Sequence, residues 1–214
     1  MNTLVIIGAG GHGAVVADGA ESIGHYQKIV FLDDAFPERK SNHHWEIIGK
    51  ADSFIDYIND SHFIVAFGNN TLRSNMLNKL KKTQAAIITL VHPTAYISKH
   101  TKIGNGVVVF AQAVVNIGCS IDDGCIINTA ATIDHDCILQ ESVHVSPGAN
   151  IAGGVTIGKQ SWVGIGASII ECVTIGQNTQ IASSSTVISS TKANSLYAGV
   201  PAVFKKQLPT ATNF

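Results

Sequence analysis

The sequence has almost no net charge and few charged residues. Its 214 residues carry a formal charge of −1, and only 14% of them are Asp, Glu, Lys or Arg. Without an excess of positive charge, the chain has no electrostatic reason to bind nucleic acid or an anionic membrane. No apolar run approaches the ~18–20 residues of a membrane-spanning helix. Because residues 1–4 also lack the basic region of a signal peptide, we expect a soluble cytoplasmic protein.

The sequence also lacks a CxxC pair. Its four cysteines are too widely spaced for a zinc ribbon or a thioredoxin-like redox site: Cys119, Cys125, Cys137 and Cys172. The adjacent His43 and His44 have no partner cluster that would suggest a metal site. We therefore predict no bound metal.

A six-residue repeat fills the second half of the chain. Every sixth residue from Ile97 to Val187 is a branched aliphatic, and a small residue follows four positions after each one, including Cys119, Cys125 and Cys137. A period of six fits neither an α-helix nor a hairpin sheet, but it fits a solenoid with three flat sides per coil. The pattern over residues 97–188 resembles the hexapeptide-repeat left-handed β-helix, with the aliphatics inside and glycines relieving turns that need positive φ.

The first half of the chain alternates strand and helix patterns. Aliphatic runs at residues 4–7, 29–32, 63–67 and 86–90 predict strands, and apolar residues spaced as in helices follow the first and third of them. This order predicts a small Rossmann-like domain with a parallel sheet over residues 1–92. The fold class is therefore α/β plus all-β, with the β-helix domain and its tail over residues 93–214.

A glycine-rich loop lies between the first strand and the first helix. The residues from Gly8 to Gly13 read GAGGHG, and the backbone N–H groups of such a loop bind phosphates at the start of a helix. Asp33 and Asp34 follow the second strand, where related folds contact a ribose or a base. A mononucleotide or nucleotide sugar is favoured as the ligand; NAD and a purely structural turn remain open.

These features, in this order, resemble the sugar O-acyltransferase family that contains sialic acid O-acetyltransferases and the UDP-4-amino-sugar N-acetyltransferases of bacillosamine synthesis. The segments that carry the resemblance are GAGGHG at 8–13, Asp33-Asp34, NTAATIDHDC at 128–137, HVSPG at 144–148 and GVPA at 199–202. The resemblance covers nearly the whole chain and is more specific for the family than for its substrate.

The resemblance implies the roles of individual residues. It makes His135 the general base, Asp136 the carboxylate that orients it and Gly153 the backbone donor to the oxyanion. It places Gly10, Gly11, His12, Asp33 and Asp34 at the nucleotide sugar, and His144, Gly153, Ile165, Gly199 and Pro201 at acetyl-CoA. It also implies a homotrimer with active sites between subunits.

The residue types suit acetyl transfer to an amine. A histidine with an ordinary pKa near 6.5 can accept the amine proton near neutral pH, and a carboxylate can fix its tautomer. Gly153 is 18 residues beyond His135, so it should lie one coil above it, roughly 5 Å away. His144 is half a coil from His135 and should lie on another face of the same subunit. Without the resemblance, a solvated surface histidine remains an alternative for each.

Three functions follow in order of preference. The first is N-acetylation of the 4-amino group of a nucleotide-linked 4-amino-4,6-dideoxy sugar, with UDP favoured over dTDP and GDP, for a bacterial surface glycan or glycoprotein. The second is O-acetylation of sialic acid or a related sugar. The third is a non-catalytic β-helical binding protein, which the intact Asp134-His135-Asp136 sequence disfavours.

Overall fold

The computed structural model describes residues 2–210 and divides the chain into two compact units, Met1–Pro93 and Thr94–Phe214. The first unit is an α/β domain. Its elements are β1 (Thr3–Ile7), α1 (Gly11–Ile23), β2 (Lys28–Leu32), β3 (Ser41–Asn42), β4 (Trp45–Gly49), a 3₁₀ helix (Ala51–Tyr57), β5 (Ser61–Val65), α2 (Asn70–Lys82), β6 (Ala86–Ile87) and β7 (Leu90–Val91).

The six-stranded sheet of this unit has the order β3-β4-β2-β1-β5-β6 and is parallel except for the β3–β4 pair. Strand β1 is central and pairs in parallel with β2 and β5, which explains why Leu4 to Ile7 are fully buried. Helix α1 is capped at its C-terminus by Gly24, which adopts φ 72° and donates its N–H to the carbonyls of Ala20 and Glu21. Helix α2 begins after Asn69, whose side chain accepts the N–H of Leu72. The predicted Rossmann-like α/β class is thereby confirmed.

Three elements of this unit differ from the sequence prediction. The strand expected over 63–67 spans Ser61–Val65, and the run at 86–90 contains only the short strand β6 and the beginning of β7. The antiparallel β3–β4 hairpin was not predicted, because Ser41–Asn42 is too short to show any periodicity. This hairpin lies at the edge of the sheet and contacts the glycine-rich loop.

The second unit is the left-handed β-helix, built from two-residue strands that lie on three faces. The first face contains Tyr96–Ile97, Val114–Val115, Thr132–Ile133, Asn150–Ile151, Ser168–Ile169 and Thr186–Val187. The second contains Lys102–Ile103, Ser120–Ile121, Ile138–Leu139, Thr156–Ile157 and Thr174–Ile175. The third contains Val108–Val109, Ile126–Ile127, His144–Val145, Trp162–Val163 and Gln180–Ile181.

The repeat dictates how the coils stack. Residues 18 apart pair in parallel, so Thr132 lies between Val114 and Asn150. The aliphatic column is at most 2% exposed from Val109 to Val187, and the small column is buried from Val107 to Ser185. Cys119, Cys125 and Cys137 belong to that buried column, and their thiols donate to backbone carbonyls one coil later.

One residue in every hexad adopts a positive φ at the turn. The column runs through Gly106, Gln112, Gly118, Gly124, Ala130, Asp136, Ser142, Gly148, Gly154, Gln160, Gly166, Cys172, Asn178 and Ser184. Glycine fills this left-handed position without a steric penalty, and short polar residues tolerate it. The column also explains Cys172, which lies one position before the buried column because it is the turn residue of its coil.

A short hairpin follows the last coil. Ser195–Ala198 pairs in parallel with Gln180–Ile181 and antiparallel with Val203–Gln207. The segment between the two strands contains Gly199, at φ 110°, and a cis peptide bond before Pro201. Within residues 2–210, no helix is both long and apolar enough to cross a membrane.

Candidate active site

His135 and Asp136 lie in the turn between the first and second faces. Asp136 occupies the left-handed column at φ 58°, and this conformation allows its side chain to reach back to its neighbour. The Nδ1 atom of His135 is 2.9 Å from Oδ2 of Asp136, and the two side chains are 57% and 70% exposed. The dyad therefore forms within one chain and is open to solvent.

The carboxylates around His135 define its protonation. The hydrogen bond to Asp136 is the largest effect, the charge of Asp134 is the next, and together they raise the pKa of His135 above its ordinary value of 6.5. Since a carboxylate accepts, Nδ1 carries the hydrogen and Nε2 presents its lone pair. The ring is thus oriented with Nε2 available to accept a proton.

A second pair of side chains supports the turn from the coil below. Asn116 donates its Nδ2–H to Oδ1 of Asp134 over 2.9 Å, and the same oxygen accepts the backbone N–H of His135 over 2.8 Å. The hydrogen bond from Asn116 is the main reason that the pKa of Asp134 falls below its ordinary value. Sequence reasoning did not assign a role to Asn116, although its 18-residue spacing from Asp134 was a usable signal.

Glycines bracket the dyad above and below. Gly154 donates its N–H to the carbonyl of His135 over 2.9 Å, so the neighbouring Gly153 lies one coil above the ring, as the spacing predicts. A methyl group on Gly153 would lie 2.5 Å from Nε2 and 2.6 Å from Cε1 of His135. One coil below, a methyl group on Gly118 would collide with the Asp136 carboxylate. The imidazole and the carboxylate need this space.

Two open clefts flank the dyad. One, of about 710 Å³, is lined by Tyr96, Ser98, Lys99, His100, Ile117 and His135, among others. The other, of about 530 Å³, runs along the first face and is lined by Asn116, Thr132, Asn150, Ala152, Ser168 and Glu171, among others. Asp134 lines both clefts. The two clefts therefore adjoin each other at Asp134, next to His135.

His144 lies on the third face, away from His135 of the same chain. Its ring stacks on Trp162 with a centroid distance of 5.9 Å and an interplanar angle of 13°. Its Nε2 is 3.2 Å from Nδ2 of Asn128, and Trp162 donates its Nε1–H to Ser146 over 2.6 Å. Sequence reasoning missed Trp162, although it is 18 residues beyond His144. The predicted role of His144 at acetyl-CoA stays a prediction.

The remaining predicted cofactor residues lie together near the end of the β-helix. The carbonyl of Ile165 accepts the N–H of Ser184, and the next residue, Ser185, accepts the N–H of Gly199 at its hydroxyl over 3.1 Å. Ile165 is 58% exposed, and Val200 next to Pro201 is 75% exposed. The structure therefore brings Ile165, Gly199 and Pro201 to one apolar, accessible region.

In the first unit, the carboxylates of Asp33 and Asp34 accept hydrogen bonds from backbone N–H groups. The carboxylate of Asp33 accepts the N–H of Ala9 over 2.7 Å and that of Ala35 over 2.9 Å, and Asp34 accepts the N–H of Ala51 over 3.1 Å. Asp33 thus contacts the glycine-rich loop directly. Gly10 is the N-cap of α1 and makes no side-chain hydrogen bond that caps the helix.

His12 lies in the first turn of α1 and is largely buried. Burial is the main cause, and the charge of Arg73 the second, of a pKa lowered to about 4. Arg73 is itself fully buried and donates to the carbonyl of Phe67 and to Oδ1 of Asn70. At neutral pH His12 is therefore an uncharged hydrogen-bonding group, and Arg73 supplies positive charge beneath the loop.

Comparison with known proteins places this geometry in a family. Residues 3–80 match the family described as the PglD N-terminal domain. The acetyltransferase domain of PglB from Neisseria gonorrhoeae FA1090 is 36% identical, with a TM-score of 0.92 over 96% of this chain and 100% of that one. The chain belongs to the hexapeptide-repeat sugar acetyltransferases. The family resemblance read from the sequence is confirmed.

Other members of this acetyltransferase family have bound ligands in their solved structures. The PglB domain is known in complex with acetyl coenzyme A, and it matches at 37% identity and a TM-score of 0.93 over 95% of this chain and 99% of that one. PerB from Caulobacter crescentus, in complex with CoA and GDP-perosamine, is 31% identical with a TM-score of 0.90 over 96% of this chain and 98% of that one.

A curated relative is the UDP-N-acetylbacillosamine N-acetyltransferase of Bacillus subtilis (strain 168). It is 33% identical over 114 residues, and this match spans about half of this chain and about half, 52%, of the relative. The relatives thus include proteins named for UDP-linked and GDP-linked amino sugars.

Proposed function

We propose that this protein transfers the acetyl group of acetyl-CoA to the 4-amino group of a nucleotide-linked 4-amino-4,6-dideoxy sugar, with UDP as the favoured nucleotide. The observation that carries the proposal is the His135–Asp136 dyad, which lies against Gly153 between two open clefts. The product serves the synthesis of a bacterial surface glycan or glycoprotein.

The residues of this chain account for each proton. The sugar amine attacks the thioester carbonyl carbon while Nε2 of His135 accepts the amine proton, and Asp136 stabilises the imidazolium that forms. The C–S bond then breaks, and the imidazolium returns the proton to the departing thiolate. The N–H of Gly153 does not take part in the backbone ladder across residues 2–210 and is the proposed donor to the oxyanion.

The cleft along the first face is the proposed site of acetyl-CoA. The cleft along the first face follows the coil axis from Val114 to Glu171, which spans about three coil spacings, or roughly 14 Å. Its elongated shape suits the extended pantetheine arm. The exposed apolar region at Ile165, Gly199 and Pro201 lies towards the C-terminal end of the β-helix, as the Glu171 end of the cleft does. His144 and the pair Lys205-Lys206 are further candidates for contact with acetyl-CoA.

The nucleotide sugar is assigned to the first unit. Gly10 is the N-cap of α1 and offers no side-chain cap, Gly11 and His12 follow in the first turn, and an anion is favoured at that position by the helix dipole. Arg73 adds positive charge beneath the loop, and Asp33 and Asp34 are proposed to face the nucleoside. The closed assembly is proposed to be a homotrimer in the cytoplasm, with each site shared between neighbouring subunits.

A thiol-release assay tests the function. Acetyl-CoA is incubated with UDP-4-amino-4,6-dideoxy-GlcNAc, its dTDP and GDP counterparts, or free sialic acid, and CoA release is followed with a chromogenic disulfide. Rapid release with one nucleotide-linked amine supports the proposal and identifies the nucleotide. Turnover only with sialic acid would replace it with O-acetylation, and no turnover with any acceptor would refute both.

The variant His135→Ala is the matched test of the base. It should lower kcat by about 100-fold or more, while an unchanged affinity for CoA shows that the fold is intact. The variant His100→Ala removes another imidazole from the same cleft and serves as the control. Undiminished turnover in His135→Ala would exclude His135 as the base.

A further inference from the structure

The β3–β4 hairpin holds the glycine-rich loop through side chains that the family resemblance did not assign. Arg39 donates from Nη1 to the carbonyl of Ala9 over 2.7 Å, and Asn42 donates from Nδ2 to the carbonyls of Ala9 and Gly10, each over 3.1 Å. Asp33 accepts the N–H of Ala9 over 2.7 Å. Three consecutive peptide groups, from Gly8–Ala9 to Gly10–Gly11, are therefore held by side chains from outside the loop.

These contacts, together with the N–H of Ala14 that donates to the carbonyl of Gly10 over 3.1 Å, set the direction of the loop amides. In a planar trans peptide, the C=O and the next N–H point in opposite directions. Because the carbonyls of Ala9 and Gly10 are held towards the hairpin, the N–H groups of Gly10 and Gly11 point away from it. A methyl group on Gly10 or Gly11 would meet no atom within 4 Å, so the loop has open space around it.

The hairpin residues are anchored well enough to serve this purpose. Asn42 is only 5% exposed and pairs through its backbone with Trp45. Trp45 and His44 in turn bond to Glu21 of α1, over 2.9 and 2.8 Å. Arg39 is braced by a second bond, from Nε to the carbonyl of Ser41 over 3.0 Å. The hairpin thus connects the loop to the helix that follows it.

We propose that Arg39 and Asn42 are positioning residues for the nucleotide diphosphate: they turn the carbonyls of the glycine-rich loop away and aim the amides of Gly10 and Gly11 at the anion. The proposal rests on the assignment of the nucleotide sugar to this loop. A carbonyl that faced the diphosphate would repel it, whereas an N–H attracts it. Arg39 also places a positive charge beside the loop.

The test compares four variants in the full-length protein: two replacements of Arg39, one of Asn42 and one of Lys40. Asn42→Asp keeps the size of the side chain but replaces the donor with an acceptor that repels the two carbonyls. Arg39→Gln removes the charge and the bond to Ala9. Lys40→Gln is the matched control, because Lys40 is exposed, adjacent to Arg39 and equally charged. Steady-state kinetics are measured with the best acceptor and with acetyl-CoA, and the binding of UDP, dTDP and GDP is measured by calorimetry.

The expected result is a separation of binding from chemistry. Asn42→Asp and Arg39→Gln should raise KM for the nucleotide sugar, and Kd for the nucleoside diphosphate, by about tenfold. The kcat and the KM for acetyl-CoA should stay within about twofold, as should every constant of Lys40→Gln. Arg39→Lys should recover part of the loss, because it restores the charge beside the loop.

Amide hydrogen exchange separates failure of this inference from failure of the proposed function. In the unliganded protein, the amide of Ala9, which donates to Asp33, should exchange at least about tenfold faster in Asn42→Asp than in the wild type. Unchanged exchange and unchanged KM would overturn the positioning role, even if acetyl transfer is established. Faster exchange in Asn42→Asp, together with a wild-type enzyme that binds none of the three nucleotides, would instead refute the assignment of the nucleotide to the loop.

Discussion

Replacement of Gly153 by alanine tests whether the dyad depends on the space above it. The new methyl carbon would lie 2.5 Å from Nε2, 2.6 Å from Cε1 and 3.0 Å from Cδ2 of His135. Because an ordinary carbon contact is about 3.5–4.0 Å, the ring must retreat by roughly 1 Å or rotate away. A displacement of this size at a reacting group costs about 100-fold in rate. We expect kcat to fall by that factor.

Stability should change little in the same variant. Gly153 does not adopt a positive φ, so alanine fits its backbone, and alanine reduces the entropy of the unfolded chain. The exposed ring of His135 can move without unpacking a core. Urea unfolding should therefore give a free energy within about 1 kcal/mol of the wild type. The loss of activity would then be local to the dyad.

A double variant identifies the route of the effect. If the methyl group acts by displacing the imidazole, Gly153→Ala should cause no further loss of kcat in a His135→Ala background. The steady-state assay is the thiol-release assay with the best acceptor. Full activity of Gly153→Ala would refute the packing of His135 on this glycine, and additive losses would show that the glycine acts independently of His135.

Three further predictions concern protonation and packing. In Asp136→Asn, the acid limb of the pH profile of kcat/KM should move to lower pH. His135 acts as a base when it is neutral, and the variant removes the hydrogen bond that raises the pKa of His135. An acid limb that stays in place would contradict this origin of the pKa shift. The imidazole of His12 should stay neutral down to about pH 4 in an NMR titration. Because this pKa lies below the ordinary 6.5, the contribution of neutral His12 to stability is complete above pH 6.5 and is lost as the pH falls towards 4. Protonation of His12 near pH 6.5 would show that its imidazole is not buried. Ile157→Ala should lower the free energy of unfolding by about 2–5 kcal/mol, because Ile157 is fully buried. Thr156→Ala, on the same strand but facing out, should lower it by less than about 1 kcal/mol. Equal losses in the two variants would contradict the register of the coil.

The β-helix was predictable because every coil places the same demands on its sequence. Each inward aliphatic, from Val109 onward, packs against aliphatic residues in the coils above and below it. A six-residue period is therefore enough to locate all three faces. The spacing of 18 residues also placed Gly153 next to His135. It would have placed Asn116 next to Asp134, and Trp162 next to His144, had it been applied to the polar residues.

The side chains that support the glycine-rich loop were not predictable in this way. Asn42 and Arg39 lie about 30 residues beyond Ala9, in a two-residue strand and an irregular segment that have no periodicity. Their contacts depend on how the hairpin folds back over the sheet edge. The acidic pair illustrates the same limit, because its position after a strand was read correctly while the bond from Asp33 to Ala9 came only from the structure.

The product of the reaction provides the most direct test of the proposed function. The protein is incubated with acetyl-CoA labelled with ¹³C at the acetyl carbonyl and with UDP-4-amino-4,6-dideoxy-GlcNAc, and the product is examined by NMR. The proposal predicts an amide carbonyl coupled to the proton on C4 of the sugar, formed by the wild type and lost in His135→Ala. An ester carbonyl, or an amide formed equally well by His135→Ala, would contradict it.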